Sequence, residues 1–392
     1  MLLSLALIFL CGISLGSIFQ KLKLPPLLGM LITGMLLGPY VLNLLDVQIL
    51  NISPDLRKIA LIIILTRAGL NLDLADLKQV GRPAMLMCFV PACFEIVGMV
   101  VFAPLLLGVT MLEAAIMGAV VAAVSPAVVV PKMLKLMKEG YGMSNSIPQM
   151  IMAGASVDDV FVIVLFTSFI GLAQGQAVSA TSFLQIPISI LLGILGGILC
   201  GVLLAALFRS LHMRDSAKVI IILSVSFLLV MLEERLTGIF SFSGLIAVMC
   251  IGITLQKSKG EVAVRLSSKY EKLWVAAELL LFVLVGAAVN VQYAVASGAA
   301  ALLLIAMALL FRMLGVSVCM LNTKLSLKEK LFCMAAYCPK ATVQAAIGSV
   351  PLSMGLACGD IVLTVAVLSI LITAPLGAFA IDLLYQRLLP AQ

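Results

Sequence analysis

Charged residues are scarce in this sequence of 392 residues, at 11% against about 25% in an ordinary soluble domain. A soluble enzyme with one buried core needs a polar surface, and too few polar side chains are present to build one. The apolar content of 63% also excludes a disordered or collagen-like chain. These figures leave a protein whose natural solvent is lipid.

Histidine and ordered cysteine patterns are also lacking. The single histidine, His212, lies in a basic loop, which argues against a metal site or a histidine-based catalytic apparatus. The nine cysteines follow no metal-ligand spacing, and most lie inside apolar runs. They are interpreted as small packing residues, so a disulfide scaffold is excluded and no cofactor is expected.

Long apolar runs dominate what is present, and the mean hydropathy is +1.24. A membrane-spanning helix needs about 20 mostly apolar residues. Runs separated by charged or turn-rich breaks predict an all-α membrane protein with about thirteen transmembrane helices. The predicted spans are about 2–19, 25–43, 57–71, 83–107, 112–131, 146–173, 183–208, 217–236, 241–256, 273–289, 294–321, 328–350 and 360–384.

The basic residues alternate from side to side along this map, as membrane topology requires. With the N-terminus outside, 19 lysines and arginines lie in inner loops and 3 in outer loops. Lys21 and Lys23 follow the first apolar run, which favours an uncleaved helix over a signal peptide. We therefore expect a multi-pass protein of the cell membrane with a cytoplasmic C-terminus. The net charge of +7 comes largely from these loops, so nucleic acid is not an expected partner.

Two predicted spans, the fifth and the twelfth, are interrupted near their middles. The fifth contains AAVSPAVVVP, with Ser125, Pro126 and Pro131, and the twelfth contains YCPKATVQAA, with Pro339. Proline removes a backbone donor, and a carbonyl freed in lipid must find a partner or face a water-filled cavity. The two spans run in opposite directions, which is typical of inverted repeats around a transporter site. Two ordinary proline kinks are the alternative.

Two adjacent acids, Asp158 and Asp159, lie in the sixth predicted span, within GASVDDVFVIVLF. A charge at the bilayer centre costs about 3 kcal/mol or more, so both are functional candidates. Adjacent helical residues point about 100° apart, so one carboxylate can face an ion cavity while the other faces a neighbouring helix. A carboxylate in such a cavity binds a monovalent cation or a proton in turn, which is the simplest chemistry for exchange. A static buried salt bridge is the alternative.

The remaining charges inside the spans are close to balance. Lys340 stands beside the break in the twelfth span and is the expected partner of the acids. A Lys–Asp pair can lose its proton when an arriving cation repels the ammonium. The alternative is that Lys340 only neutralises negative charge at the crossing. Structural ion pairs between helices, in preference to ion ligation, are expected of Glu95, Glu278, Arg67 and Arg312.

Four segments, in this order, resemble the monovalent cation:proton antiporter superfamily with its sodium/proton exchanger domain: RAGLNLDL, AVSPAVVVPKML, GASVDDV and PKATVQAAIG. The second and fourth look closest to the NHA-type branch with an Asp-Asp motif. The resemblance covers nearly the whole chain. It implies an NhaA/NapA-like antiporter fold of thirteen or fourteen helices, with inverted six-helix repeats and two crossed broken helices. It also implies a homodimer, elevator-like alternating access and a core ion pair between Glu95 and Arg312.

The resemblance implies roles for individual residues as well. Asp159 matches the acid that binds the ion or the proton, and Asp158 matches the acid before it. Lys340 matches the lysine that pairs with Asp158 in Asp-Asp members. Ser125 stands where many relatives have the acid of a Thr-Asp-Pro motif, so its hydroxyl or carbonyl would be the ligand. With Thr342, these residues form the expected site for Na+ or Li+ and protons.

The function expected from this reading is transport rather than enzymatic catalysis. A secondary active antiporter would exchange cytoplasmic Na+ or Li+ for external protons and serve pH homeostasis. Two acids and a lysine offer two titrating events, which predicts electrogenic exchange. K+/H+ exchange and sodium-coupled uptake of an organic anion are alternatives on a related fold.

Two further classes are weighed against transport. An intramembrane aspartyl protease needs acids that converge from different helices, whereas Asp158 and Asp159 are neighbours on one helix. A non-transporting sensor has no appended output domain to support it. We expect one exchanger domain over residues 1–392, with a first repeat over about 1–174, a linker helix over about 183–208 and a second repeat over about 217–388.

Overall fold

The computed structural model describes residues 1–71, 81–173, 180–211, 213–236, 242–258 and 260–391. For the residues at 156, 160, 180–187, 234 and 293–297 it describes the backbone alone. Three residues of the predicted inner loops, Lys78, His212 and Lys259, lie outside the described residues.

The described chain is helical throughout, with eighteen helices and no β-strand in these ranges. The helices are α1 (Leu2–Lys21), α2 (Pro26–Leu37), α3 (Val47–Asn51), α4 (Ser53–Asn71), α5 (Arg82–Met87), α6 (Val90–Leu107), α7 (Met111–Val121), α8 (Pro126–Glu139), α9 (Ile147–Ala173), α10 (Ala180–Ser210), α11 (Asp215–Leu236), α12 (Gly244–Ser258), α13 (Gly260–Ala288), α14 (Val291–Cys319), α15 (Leu327–Ala336), α16 (Thr342–Ile347), α17 (Val350–Ser353) and α18 (Gly359–Leu388). The all-α prediction is therefore confirmed.

Eight segments of the described chain are long and apolar enough to cross a membrane, by length and composition. They are Leu2–Lys21, Arg82–Leu107, Met111–Glu139, Ile147–Ala173, Ile188–Ser210, Asp215–Glu233, Gly298–Cys319 and Gly359–Leu388. The chain is thus a multi-pass membrane protein.

The other five predicted spans also contain helix, but not as long unbroken apolar helices. The span at 25–43 is represented by α2, that at 241–256 by α12, and that at 328–350 is divided between α15 and α16. The spans at 57–71 and 273–289 are parts of α4 and α13, which carry charged residues inside these spans as well as in their other turns. The count of thirteen stays a prediction.

The chain divides into two compact units. The first holds the described residues of Met1–Pro54, Ala75–Phe166 and Leu279–Gln392, and the second holds those of Asp55–Leu74 and Thr167–Glu278. All the predicted site residues belong to the first unit except Arg67 and Glu278, which belong to the second.

A buried apolar cluster in the first unit fixes the helices that carry the site. It is built from side chains of α8, α9, α14, α15 and α18, and it includes Val129, Met133, Leu136, Ile147, Ile151, Val316, Phe332, Ile381 and Tyr385. Small residues bring α6 and α14 together, since a Cβ at Gly98 would lie 2.9 Å from the Phe311 ring. The hydrophobic effect contributes little to association between helices in lipid, so close van der Waals packing supplies much of the free energy that holds α6 against α14.

The second unit packs α10 closely against α12. A Cβ at Gly197 would lie 2.4 Å from the Ala247 carbonyl oxygen, and one at Gly201 would lie 2.6 Å from Thr254. Glycine lets the two backbones approach, as small residues commonly do between membrane helices.

Candidate ion-binding site

Two broken helices meet in the first unit. The first break separates α7, which ends at Val121, from α8, which begins at Pro126; the second separates α15 from α16. The Ser125 amide donates a hydrogen bond of 2.8 Å to the Pro339 carbonyl. The two extended links are therefore in direct contact, and backbone groups that helices would satisfy are available there.

Proline at the start of α8 explains where one of these groups goes. In a continuous helix the amide of residue 126 would donate to the Ala122 carbonyl, but Pro126 has no N–H. The Ala122 carbonyl instead accepts a hydrogen bond from Arg312 of α14, which also donates from Nε to the Tyr337 carbonyl at 2.6 Å. One guanidinium thus caps the carbonyl ends of both α7 and α15, where the helix dipoles favour a cation.

The neighbouring carbonyls of the first link are capped by side chains of the second. Lys340 Nζ lies 2.7 Å from the Val121 carbonyl oxygen. Gln344 Nε2 donates to the same oxygen at 3.1 Å and to the Ala123 carbonyl at 2.8 Å. Three consecutive carbonyls at the end of α7 are therefore satisfied by side chains rather than by helix.

Four charged side chains form a continuous chain of ion pairs, called the charge network below: Asp158, Arg312, Glu95 and Lys340. Asp158 Oδ2 lies 3.0 Å from Arg312 Nη2, Arg312 Nη1 lies 2.8 Å from Glu95 Oε2, and Lys340 Nζ lies 2.7 Å from Glu95 Oε1. All four side chains are fully buried. Two acids alternate with two bases, so the network is balanced, which is how buried charges are tolerated.

The partner of Lys340 differs from the expectation. Lys340 was expected to pair with Asp158, whereas the structure places it on Glu95 of α6. Asp158 is already held by Arg312 and by the Val124 amide, which donates to Oδ2 at 2.8 Å. Arg312 already supplies the positive charge beside Asp158, and the Lys340 ammonium pairs with the second buried acid, Glu95, so that two bases balance two acids.

Asp159 stands apart from this network. Its side chain is buried, with a residue exposure of 9%, and no lysine or arginine of the described chain lies within ion-pair distance of it. Its Oδ1 atom has no hydrogen-bond partner among the described groups. Burying an ionised carboxylate without a cationic partner costs free energy, and a bound cation or proton would remove that cost. Asp159 is therefore the position at which binding a cation or a proton stabilises the protein most.

Further unsatisfied oxygens belong to the same crossing. Buried atoms without a partner in the described part of the chain include Ser125 Oγ, Thr342 Oγ1, Asp158 Oδ1 and Gln344 Oε1. Buried polar atoms are nearly always hydrogen-bonded, so several unpaired oxygens on contacting segments indicate a place where a ligand or water binds. Hard oxygen donors of this kind suit Na+ or Li+ better than a soft transition metal.

Sequence reasoning missed Tyr337 and Gln344. The Tyr337 hydroxyl donates to the Met87 carbonyl at 2.9 Å, and its ring centroid lies 5.0 Å from Arg312 Cζ. The Met87 carbonyl is free because Pro91, at the start of α6, lacks the amide that would reach it. Both missed residues are polar and stand within the YCPKATVQAA segment, and that was the available signal.

The other two predicted charges lie in the second unit. Arg67 Nη2 is 3.2 Å from Glu271 Oε1, and the Glu271 side chain is 63% exposed. Arg67 therefore forms an ion pair with Glu271. Exposed pairs of this kind contribute about 0–1 kcal/mol.

Comparison with known proteins identifies the family. The sequence profile described as "Sodium/hydrogen exchanger, transmembrane" matches residues 5–386. The chain belongs to the sodium/hydrogen exchanger family. The resemblance carried by the four ordered segments is thereby confirmed, and the exchanger family is one of transporters rather than of enzymes.

Relatives and a solved structure agree with this assignment. The exchanger is 33% identical over 420 residues to the mouse protein "Sodium/hydrogen exchanger 9B2", covering 99% of this chain and 74% of that one. It is 31% identical to human "Sodium/hydrogen exchanger 9B1", covering 99% and 78%. The solved sodium proton antiporter MjNhaP1 from Methanocaldococcus jannaschii superposes with a TM-score of 0.85 over 98% of this chain and 97% of that one. At 20% identity, that match establishes a shared fold.

Proposed function

We propose that this exchanger is a secondary active antiporter that moves Na+ or Li+ out of the cytoplasm in exchange for external protons. Asp159 binds the cation or the proton. The observation that carries the proposal is the contrast between the two adjacent acids: Asp158 is paired with Arg312, whereas Asp159 has no cationic partner in the described chain. One acid is structural and the other is available for exchange.

The competition follows from charge. When Asp159 is ionised, a Na+ or Li+ ion neutralises it and accepts the unpaired oxygens around the crossing as ligands. When Asp159 is protonated, the site has lost the charge that attracts the cation. Occupation by one species therefore excludes the other, and alternating access converts that exclusion into coupled transport. Ser125 and Thr342 are proposed to supply neutral oxygens.

The proposed architecture is two inverted repeats, over about 1–174 and 217–388, joined by a linker helix at about 183–208. The beginnings of the two broken helices support it. Thr110 and Glu113 form a capping box at the start of α7, and Ser326 and Glu329 form another at the start of α15. Helices of 11 and 10 residues then lead to a proline-bearing break. Thirteen membrane passages, an external N-terminus, location in the cell membrane and a homodimer belong to the same proposal.

The charge network changes the expected stoichiometry. Electrogenic exchange with two protons per cation is the expectation from the sequence, because two acids and a lysine offer two titrating events and a Lys340–Asp158 pair could supply one of them. Lys340 instead pairs with Glu95 at the end of the charge network. The Glu95 carboxylate stabilises the Lys340 ammonium, so the ammonium keeps its proton when a cation binds at Asp159. Asp159 is then the one group that exchanges its proton. We propose one proton per monovalent cation, hence electroneutral transport.

The proposal is tested with purified protein in proteoliposomes that contain a pH-sensitive dye. A proton gradient is imposed and Li+, Na+ or K+ is added in turn. Cation-specific collapse of the gradient by the unmodified protein, lost in Asp159→Ala, is the expected result. Wild-type-like exchange in that variant, or no response of the folded protein to any of the cations, would refute the proposal. A response to K+ alone would favour the K+/H+ alternative, and dependence on an added organic anion would favour the coupled-solute alternative.

A further inference from the structure

Gln344 occupies an unusual position at the crossing. It lies on the short helix α16, and its side chain is fully buried. Its Nε2 donates to the carbonyls of Val121 and Ala123, at 3.1 Å and 2.8 Å. Both N–H groups of the Gln344 carboxamide therefore donate to carbonyls at the break between α7 and α8.

This bonding fixes the direction of the carboxamide. Because both partners are carbonyl oxygens, only the NH2 group can face them, so the amide cannot be reversed. Its Oε1 atom is buried and receives no hydrogen bond from the described part of the protein. A buried acceptor left unsatisfied costs about 1–3 kcal/mol, an amount that a bound ion or water would offset.

The link that Gln344 holds leads directly into the candidate site. Two residues after Ala123, the Ser125 amide bonds the second link and its hydroxyl is unpartnered. Between them, the Val124 amide donates to Asp158. Gln344 therefore restrains the backbone on which two elements of the site depend, and it keeps the Ala123 carbonyl bonded and unavailable as a ligand, while it shares the Val121 carbonyl with Lys340.

We infer that Gln344 is a selectivity-determining residue of the cation site. By holding the Ala123 carbonyl and presenting its own amide oxygen, it keeps the number of neutral ligands small. Discrimination among monovalent cations depends on cavity size and on the number and field strength of the oxygen ligands. A small, restrained set favours Li+ and Na+ over K+. This inference rests on the proposed antiport function.

The test compares the apparent KM for Na+ and K+ in proteoliposomes that carry Gln344→Met or Gln344→Asn. Methionine matches the side-chain length without a donor, and asparagine keeps the carboxamide but is one methylene too short to span both carbonyls. Releasing the Ala123 carbonyl and removing one of the two donors to the Val121 carbonyl is expected to shift the ratio of the two KM values at least about tenfold toward K+, equivalent to about 1.4 kcal/mol. A general loss of packing would lower the maximal rate without moving this ratio.

Ser369→Ala is the matched control. Ser369 is also fully buried, but its hydroxyl bonds the Ala366 carbonyl of its own helix at 2.6 Å. The wild-type ratio of KM values is expected in this variant. The increase in melting temperature on adding each cation to the detergent-solubilised protein gives a second readout, independent of transport, and should follow the same order.

The possible results distinguish failure of the selectivity inference from failure of the proposed antiport function. If the unmodified protein shows no cation-dependent proton movement, the proposed function fails. If it exchanges cations normally while a folded Gln344 variant keeps the wild-type ratio, the selectivity inference alone is overturned. It is equally overturned if Ser369→Ala shifts the ratio as much, or if neither Gln344 variant folds, because Gln344 would then be a structural residue.

Discussion

At the scale of residues, two neighbouring carboxylates have acquired different tasks from their surroundings. Asp158 receives a guanidinium and a backbone amide, while Asp159 has no charged partner in the described chain. Their adjacency in the sequence predicted that they would face different directions, because helical neighbours point about 100° apart. The sequence could not predict which base pairs with which acid, since the pairing depends on where α6, α9 and α14 meet.

The first prediction separates the two acids by stability. Asp158→Asn leaves Arg312 with one fewer buried carboxylate, and breaking such a pair costs about 3–5 kcal/mol. Asp159→Asn removes a buried charge that has no ion-pair partner, so stability should be unchanged or higher. Thermal unfolding of the two purified variants in detergent should show a lower melting temperature for Asp158→Asn only. Equal losses in both variants would contradict the assignment of separate tasks.

The second prediction concerns the pair formed by Lys340 and Glu95. Either Lys340→Gln or Glu95→Gln alone unbalances the charge network by one unit and should destabilise the protein strongly. The double variant restores the balance, so it should be more stable than the sum of the two single losses allows. A double-mutant cycle on melting temperatures measures this coupling. Simple additivity would mean that the two side chains do not act as a pair.

At the scale of elements, prolines account for much of the site. Pro126, Pro131 and Pro339 predicted the two broken helices, and the structure contains breaks beside Pro126 and Pro339, whereas Pro131 lies inside α8 without ending it. The division between α5 and α6 was missed because the apolar run over 83–107 is continuous and Pro91 stands well inside it. The Met87 carbonyl, which this division leaves without a helical partner, accepts a hydrogen bond from the Tyr337 hydroxyl, which is distant in sequence. Such pairings are set by packing and have no local signature.

The third prediction compares the two capping boxes. Glu113 caps α7 at a partly exposed position, whereas Glu329 is buried and also accepts a hydrogen bond of 2.7 Å from Asn145. Losing a cap costs about 0.5–2 kcal/mol, and Glu329→Ala additionally deprives Asn145 of its partner. Glu329→Ala should therefore lower the melting temperature more than Glu113→Ala. The reverse order would show that the link to Asn145 contributes nothing.

At the scale of the whole molecule, composition and loop charges predicted a helical multi-pass protein, and the fold and family agree. The same data could not fix the number of passages, because α2 and α12 are short and the second broken helix is split into pieces. Length criteria that identify a continuous span do not recognise a passage assembled from fragments. The breaks that make counting difficult are also the features that create the site.

The fourth prediction is electroneutral exchange by the intact protein. Moving one net charge would couple transport to the membrane potential by about 2.3 kcal/mol per 100 mV. With a balanced charge network and one exchanging acid, the rate and final extent of Na+-driven proton movement should not change when a potassium–valinomycin potential is imposed. A clear dependence on the sign of that potential would restore the expectation of two protons per cation.

The most direct test of the central claim is to count the protons released when Na+ or Li+ binds to the purified protein in weakly buffered detergent solution. The measurement is made at a pH where the protein binds the cation but is still partly protonated. The account predicts up to one proton per bound cation for the wild type and none for Asp159→Asn. Cation binding without proton release in the wild type, or undiminished release from Asp159→Asn, would contradict exchange at Asp159.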